Sequence, residues 1–269
     1  MSDEKATGIC FFCKGSKKEN LVAIVRIPVL IICFSFQSNH NILYFCRSKY
    51  ASGMDIQRIH HKISRYQAEG KRLFATSSFQ TNSITLLHVL SRIDKDIPVY
   101  FINTGFHFPE TISYKEEITR LLGIKVIDLF SHVPKVMQTN ASGDLLFTFD
   151  PDYCCYLNKV QPVEKLKPQF DVWINGVRAA QNHIRKGFQE EQKTRENILR
   201  YHPLLSWTNE DVMAYMNEYD LPVHPLEARG YKSIGCEPCT RPANGDNTRG
   251  GRWAGMKKTE CGLHLEGRR

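Results

Sequence analysis

From residue 55 onward the chain alternates short apolar runs with amphipathic stretches, and no other feature restricts its fold as much. "IQRIHHKISRYQAEG" (56–70) has helical spacing of its apolar residues and stops at Gly70. "RLFATS" (72–77) is a short apolar run that reads as a strand, and "ITLLHVLSRI" (84–93) as a helix. "PVYFINTG" (98–105) reads as a buried strand. "PETISYKEEITRLLG" (109–123) reads as a helix, with Pro109 near its start and Gly123 at its end. "KVIDLF" (125–130) and "DVWINGV" (171–177) add two strands. Strands that alternate with helices predict an α/β fold with a parallel, doubly wound sheet. "TNED" (208–211) matches a capping box and opens the helix "EDVMAYMNEY". After Leu221 the sequence is rich in Gly, Pro, Cys and Arg, which predicts a loop-rich C-terminal segment over the sheet's edge and a mobile tail.

Charge narrows the partners. The net charge is +8. Residues 1–53 hold seven Lys/Arg against three Asp/Glu, as do residues 241–269, so each contributes +4. The basic excess of the main body is thus concentrated in the tail, which suits a small anionic substrate. A nucleic-acid surface would show denser Lys/Arg clusters with interleaved aromatics, so no nucleic-acid partner is expected. The apolar run "LVAIVRIPVLIICF" (21–34) is interrupted by Arg26 and Pro28 and is too short to span a bilayer. "SFQSNH" after it offers no small-residue cleavage site, so neither membrane insertion nor export is expected. Residues 1–53 read as an N-terminal extension, non-native or disordered. Residues 54–240 read as the working α/β domain, and 241–269 as a basic tail. Nine cysteines in a cytoplasmic chain are better read as metal ligands or reactive thiols than as disulfides. Cys10 and Cys13 alone are a weak zinc or redox signal.

Three groups of residues carry chemistry. Loop 77–83 joins a strand to a helix start, where free N–H groups and the helix dipole favour anions. Ser77, Ser78, Thr81, Asn82 and Ser83 add short polar side chains there. The loop matches neither common nucleotide fingerprint, and a merely capped helix would look the same. Arg178, just after a strand, and Arg249 and Arg252 in "NTRGGRW" have guanidinium forks that fit phosphate or sulfate oxygens; each alone would also pass as a solvated arginine. "YCCYLNK" supplies Cys154 and Cys155, and "IGCEPCTRP" supplies Cys236 and Cys239. Four thiolates can hold zinc or an iron–sulfur cluster, and a redox C-x-x-C beside two buried cysteines is the alternative. Vicinal cysteines chelate one ion poorly but can reach different corners of a cluster. Lys159 could place a cation between such a centre and an anion. Cys261, in "KKTECGLH", stands near Lys257, Lys258 and His264, cations that favour a thiolate.

Together these pieces resemble the assimilatory adenylyl-sulfate / phosphoadenylyl-sulfate reductase family, from about Phe74 to His264. The resemblance rests on "TSSFQTNSITLLH", "FINTGFHFPET", "WINGVRAAQ", the stretch from "HPLLSW" to "IGCEPCTRP", "GRW" and "ECGLH". It implies an adenine-nucleotide α-hydrolase type fold whose modified P-loop (Ser77, Ser78, Thr81, Ser83) cradles the nucleotide. It implies that Cys261 attacks the substrate's sulfate sulfur and becomes a sulfo-cysteine, which thioredoxin or a similar dithiol then cleaves to sulfite. Arg249 and Arg252 match the family's substrate-clamping pair and Arg178 its post-strand arginine, with Lys159 and His264 as further substrate-side cations. Members with both cysteine pairs hold a 4Fe–4S cluster, here on Cys154, Cys155, Cys236 and Cys239, and generally prefer adenylyl sulfate. A homo-oligomer is also expected.

Three departures stand out: "SSFQTNS" lacks the family's commoner Gly and acidic residues, Ala179 replaces a frequent second arginine, and the tail has a single Trp, Trp253. Phosphoadenylyl sulfate is the alternative substrate. The rival readings are an ATP pyrophosphatase or tRNA-thiolating enzyme of the same fold, and a non-enzymatic iron–sulfur sensor.

Overall fold

The computed structural model describes residues 22–27, 30–37, 40–46, 52–243, 249–258 and 260–264. They divide into two compact units, residues 1–57 and 58–269. In the first, β1 (Val22–Ile27), β2 (Leu30–Gln37) and β3 (His40–Cys46) form an antiparallel meander. The run 21–34 is therefore shared between two strands, as its β-branched residues favour. No helix among the described residues is long and apolar enough to cross a membrane. Cys10 and Cys13 lie outside the described residues.

The meander's strands pair with one another in a sheet of their own. A chain beginning at Met54 keeps helix α1 (Ser52–Ala68) from its third residue onward. That shortened chain is expected to stay soluble and to keep the full chain's thermal unfolding transition. Loss of its thermal unfolding transition would show that the first 53 residues are needed for folding.

The second unit holds a six-stranded sheet. Its strands are β4 (Leu73–Ser77), β5 (Val99–Asn103), β6 (Val126–Phe130), β7 (Val172–Asn175), β8 (Glu191–Lys193) and β9 (Leu199–Tyr201), in the order β6-β5-β4-β7-β9-β8. All neighbours are parallel except β8, which runs against β9. β7 is buried at all four residues and β4 at four of five, as befits central strands covered on both faces. Helices α2 (Thr81–Ile93) and α3 (Pro109–Leu122) follow β4 and β5. Pro109 opens α3, and Gly123 closes it with a left-handed φ of 61°. Thr208 and Asp211 cap α8 (Asn209–Glu218) reciprocally, as "TNED" predicted. Between β6 and β7 the chain adds α4 (Leu146–Phe149), α5 (Pro151–Cys155) and α6 (Gln161–Leu166); α7 (His183–Lys186) follows β7.

A core cluster under the sheet joins Phe74, Val163, Leu166, Trp173 and Ile198. Phe74 and Trp173 stack at 6.1 Å, and the indole N–H donates to the Thr76 hydroxyl at 2.8 Å. Each such large apolar side chain contributes about 1.5–3 kcal/mol by leaving water. Leu263 of the tail packs on this same cluster, so the core reaches the end of the described chain.

Candidate active site

The strand order fixes where a ligand can sit. From β4 the chain runs outward through β5 to β6, then returns to β7 on the other side of β4. Crevices open at the carboxyl ends of strands where the order reverses. A cavity of about 430 Å³ lies there, lined by Ser77 at the end of β4 and by Asn175, Gly176 and Arg178 at the end of β7.

Loop 77–83 forms the cavity's floor with Ser77, Ser78, Thr81, Asn82 and Ser83. The Ser78 and Ser83 hydroxyls lie 3.1 Å apart, and Ser77 Oγ accepts from the Phe79 N–H at 3.1 Å. Phe79 is fully buried and has a φ of 51°, an uncommon backbone for an aromatic residue. Its burial against Phe101, ring to ring at 5.7 Å, offsets that strain of about 1–3 kcal/mol. Thr81 is already engaged: its hydroxyl accepts from the His224 N–H at 3.0 Å. The Gln80 side chain accepts from the Ile234 N–H at 2.9 Å and ties this loop to the C-x-x-C segment.

Cations dominate the walls. Lys159, Arg178, Arg185, Lys232, Arg249 and Arg252 line the cavity against two carboxylates, Glu227 and Glu260. Arg178 is buried and donates to the Trp207 carbonyl at 3.1 Å and to Asn209 Oδ1 at 2.9 Å, so its fork braces the entry to α8. Burial pushes the Arg178 and Arg249 guanidiniums down to about 10, which leaves both charged at neutral pH. Arg252 donates to the Ile234 carbonyl at 3.2 Å and lies 4.5 Å over the Trp253 ring. A Cβ at Gly235 would stand 2.3 Å from the Arg252 guanidinium, so only glycine allows that approach.

Cys261 lines the same cavity, half-buried. The tail here is folded inward. Lys258 is buried and pairs with Asp152, while Lys257 is exposed. The cations whose charge acts between Cys261 and the cavity are Lys159 and Arg249. The side chain of His264 lies outside the described set.

The four remaining site cysteines converge from two segments. Cys154 and Cys155 end α5, and Cys236 and Cys239 bracket a 3₁₀ turn. All four are free thiols. Burial, then the neighbouring Cys236 and Cys239, push the Cys154 thiol up to about 11. Burial pushes Cys155 up to about 12. Burial alone would raise Cys236 too, but the Lys159 ammonium, the Thr104 hydroxyl at 3.2 Å and Arg252 bring it below the ordinary thiol value. Among the described residues, no three His, Cys, Asp or Glu side chains gather closely enough to hold a single metal ion. Thiols that face cations suit a donor set that ionises when a cationic centre enters.

Lys159 reaches this centre through an irregular turn. Pro162 has no N–H for the carbonyl of Asn158, and the helix widens into a π turn over Tyr156–Val160. Lys159 is half-buried, and loss of water alone would lower its ammonium; Cys236, Cys261 and Cys155 together hold it raised. It lines the cavity and lies within electrostatic reach of Cys155, Cys236 and Cys261.

The sequence reading passed over two participants. His107 pairs through its backbone with Cys236 and joins the end of β5 to the cysteine turn. Glu260 is 1% exposed and receives the Arg185 fork at 2.9 and 3.0 Å and Arg249 at 3.2 Å. Burial would raise its carboxyl, but those arginines bring it down to about 2. Glu260 stands beside Cys261 in "ECGLH", the one local signal that could have drawn attention to it.

Residues 72–242 match the phosphoadenosine phosphosulfate reductase domain. The adenosine 5′-phosphosulfate reductase of Chelativorans sp. (strain BNC1) is 38% identical over 213 residues, covering 76% of this chain and 83% of that protein. The phosphoadenosine 5′-phosphosulfate reductase of Gloeobacter violaceus is 38% identical over 200 residues, covering 72% and 83%. The phosphoadenylyl-sulfate reductase of Candida auris, solved as a phosphate complex, shares the fold with a TM-score of 0.56 at 22% identity, covering 71% of this chain and 98% of that one. The chain belongs to the phosphoadenosine phosphosulfate reductase domain family.

Proposed function

We propose that the protein reduces adenylyl sulfate to sulfite and AMP, with Cys261 as nucleophile and a thioredoxin-like dithiol as reductant. The observation that carries this is the presence of Cys261 in the cation-lined cavity at the carboxyl ends of β4 and β7. In the first half-reaction the Cys261 thiolate attacks the sulfate sulfur. The sulfur–oxygen bond to the phosphate breaks, AMP leaves with the electron pair, and Cys261 carries an SO₃ group. In the second, a dithiol thiolate attacks Cys261 Sγ and sulfite leaves with the sulfur–sulfur electron pair. The second thiol of the dithiol then resolves the mixed disulfide and restores Cys261, so the dithiol supplies both electrons.

Chain residues supply binding and charge. Ser77, Ser78 and Ser83 beside the start of α2 suit the nucleotide's phosphate, and Arg249, Arg252 and Lys159 suit the sulfate end. Arg178 and Thr81 act mainly on the wall, since both are held by protein partners. His264 is the remaining substrate-side cation in this reading. A 4Fe–4S cluster on Cys154, Cys155, Cys236 and Cys239 fits the donor set, which is all thiol, buried at Cys154, Cys155 and Cys236, half-buried at Cys239 and faced by Lys159. When bound, the cluster supplies charge near the sulfate and carries none of the dithiol's electrons. The reduced thiols suit a cytoplasmic setting. A homo-oligomer with no nucleic-acid or membrane partner completes the reading.

The test is sulfite release with reduced thioredoxin from adenylyl sulfate and from its 3′-phosphorylated form, each in its own tube. The expected result is a higher kcat/KM for adenylyl sulfate, following the cysteine set. A reversed preference would favour phosphoadenylyl sulfate, a relative acting on which is equally similar. No sulfite from either nucleotide would sink the proposal.

A further inference from the structure

Glu260 has no task in the two half-reactions above, yet it sits in a cavity otherwise suited to anions. A carboxylate there competes with an anionic ligand for the same cations. Its contacts show what it does hold. The Arg185 fork donates at 2.9 and 3.0 Å, Asn182 Nδ2 at 2.6 Å, Arg249 Nη2 at 3.2 Å and the backbone N–H of Cys261 at 2.8 Å. Arg185 and Asn182 also have partners outside the tail: Asn182 caps α7 by accepting the Arg185 N–H at 2.9 Å, and Gln181 takes a further guanidinium N–H. One carboxylate therefore joins a rigid turn after β7, the Arg249 cation and the backbone of Cys261.

The two half-reactions ask opposite things of that backbone. Attack on the nucleotide needs Cys261 inside the cavity. Cleavage of the sulfo-cysteine needs the same residue within reach of a protein dithiol, which cannot enter a cavity of about 430 Å³. We propose that Glu260 is the latch between these states. It docks the Cys261 segment on Arg185 and Asn182 for the first half-reaction, and its release frees the segment for the second. Glu260 is a positioning residue in this scheme, and the inference rests on Cys261 being the nucleophile.

The test separates the half-reactions in Glu260→Gln, which keeps an acceptor for the Cys261 N–H and removes the charge. Adduct formation from adenylyl sulfate without reductant, followed by intact mass, is expected to slow about ten- to hundred-fold. Sulfite release from the preformed adduct by reduced thioredoxin is expected to stay equal or to speed up. Alkylation of substrate-free Cys261 by iodoacetamide is expected to speed up. A merely structural role would slow both half-reactions together, and that result, or two unchanged rates, would overturn the latch. If Glu260→Gln does not fold, Arg185→Gln removes the same pair from the other side and carries the same two-rate test. No adduct in the unsubstituted enzyme would instead overturn the assignment of Cys261.

Discussion

Cys261→Ser is expected to abolish sulfite release, a loss of about 10⁴-fold or more, because a serine hydroxyl cannot replace a thiolate as nucleophile. Nucleotide binding and the metal content should stay near those of the unsubstituted protein. The replaced atom is half-buried at a cavity wall, so little packing is lost. The unsubstituted protein, given adenylyl sulfate without reductant, should gain one SO₃ group, which peptide mapping should place on Cys261. Reduced thioredoxin should remove it as sulfite. Arg249→Ala and Arg252→Ala should keep the thiol reactive to iodoacetamide but lower kcat/KM about ten- to hundred-fold, since each removes a charged hydrogen-bonding group from the cavity. An active Cys261→Ser protein would refute the nucleophile assignment.

The second large effect belongs to the four crowded thiols. Protein purified without oxygen is expected to be brown, with about four iron and four sulfide per chain. Serine at Cys154, Cys155, Cys236 or Cys239 should bleach it and remove most activity. Cys236→Ser should be the most severe, because that residue meets Lys159, Thr104 and Arg252 at once. Stoichiometric zinc without inorganic sulfide would contradict the cluster.

Strands β4, β5, β6 and β7 were legible because they are short apolar runs bounded by Gly, Pro or polar turns. The three-residue strands β8 and β9 were not, since three residues carry no usable alternation. α2 begins at Thr81, three residues before the expected start, because Thr81, Asn82 and Ser83 resemble a loop by composition. Among the cavity's lining residues, Ser77, Ser78, Ser83, Arg178, Arg249, Arg252 and Cys261 stood in quoted motifs, whereas Arg185 did not. Glu260 was not legible: its partner Arg185 is 75 residues away, and no local pattern reports a contact at that separation. Lys258 read as one of the cations beside Cys261, and in the fold it is buried and pairs with Asp152. The π turn that aims Lys159 depends on a missing N–H at Pro162, an effect that helical periodicity does not register.

One backbone ladder ties oxidative damage to substrate grip. Thr240 and Arg252 form an antiparallel bridge, the Arg241 N–H donates to the Gly251 carbonyl at 2.8 Å, and the Trp253 N–H donates to the Cys239 carbonyl at 2.9 Å. The turn that bears Cys236 and Cys239 and the turn that bears Arg252 therefore move as one piece. An oxidant that converts Cys239 to its sulfinate adds bulk and charge on one rung, and Arg252 on the next must shift with it. Under the proposed function, air-exposed protein should then lose affinity for adenylyl sulfate in step with the loss of its iron, so that ageing of a preparation is read first in KM.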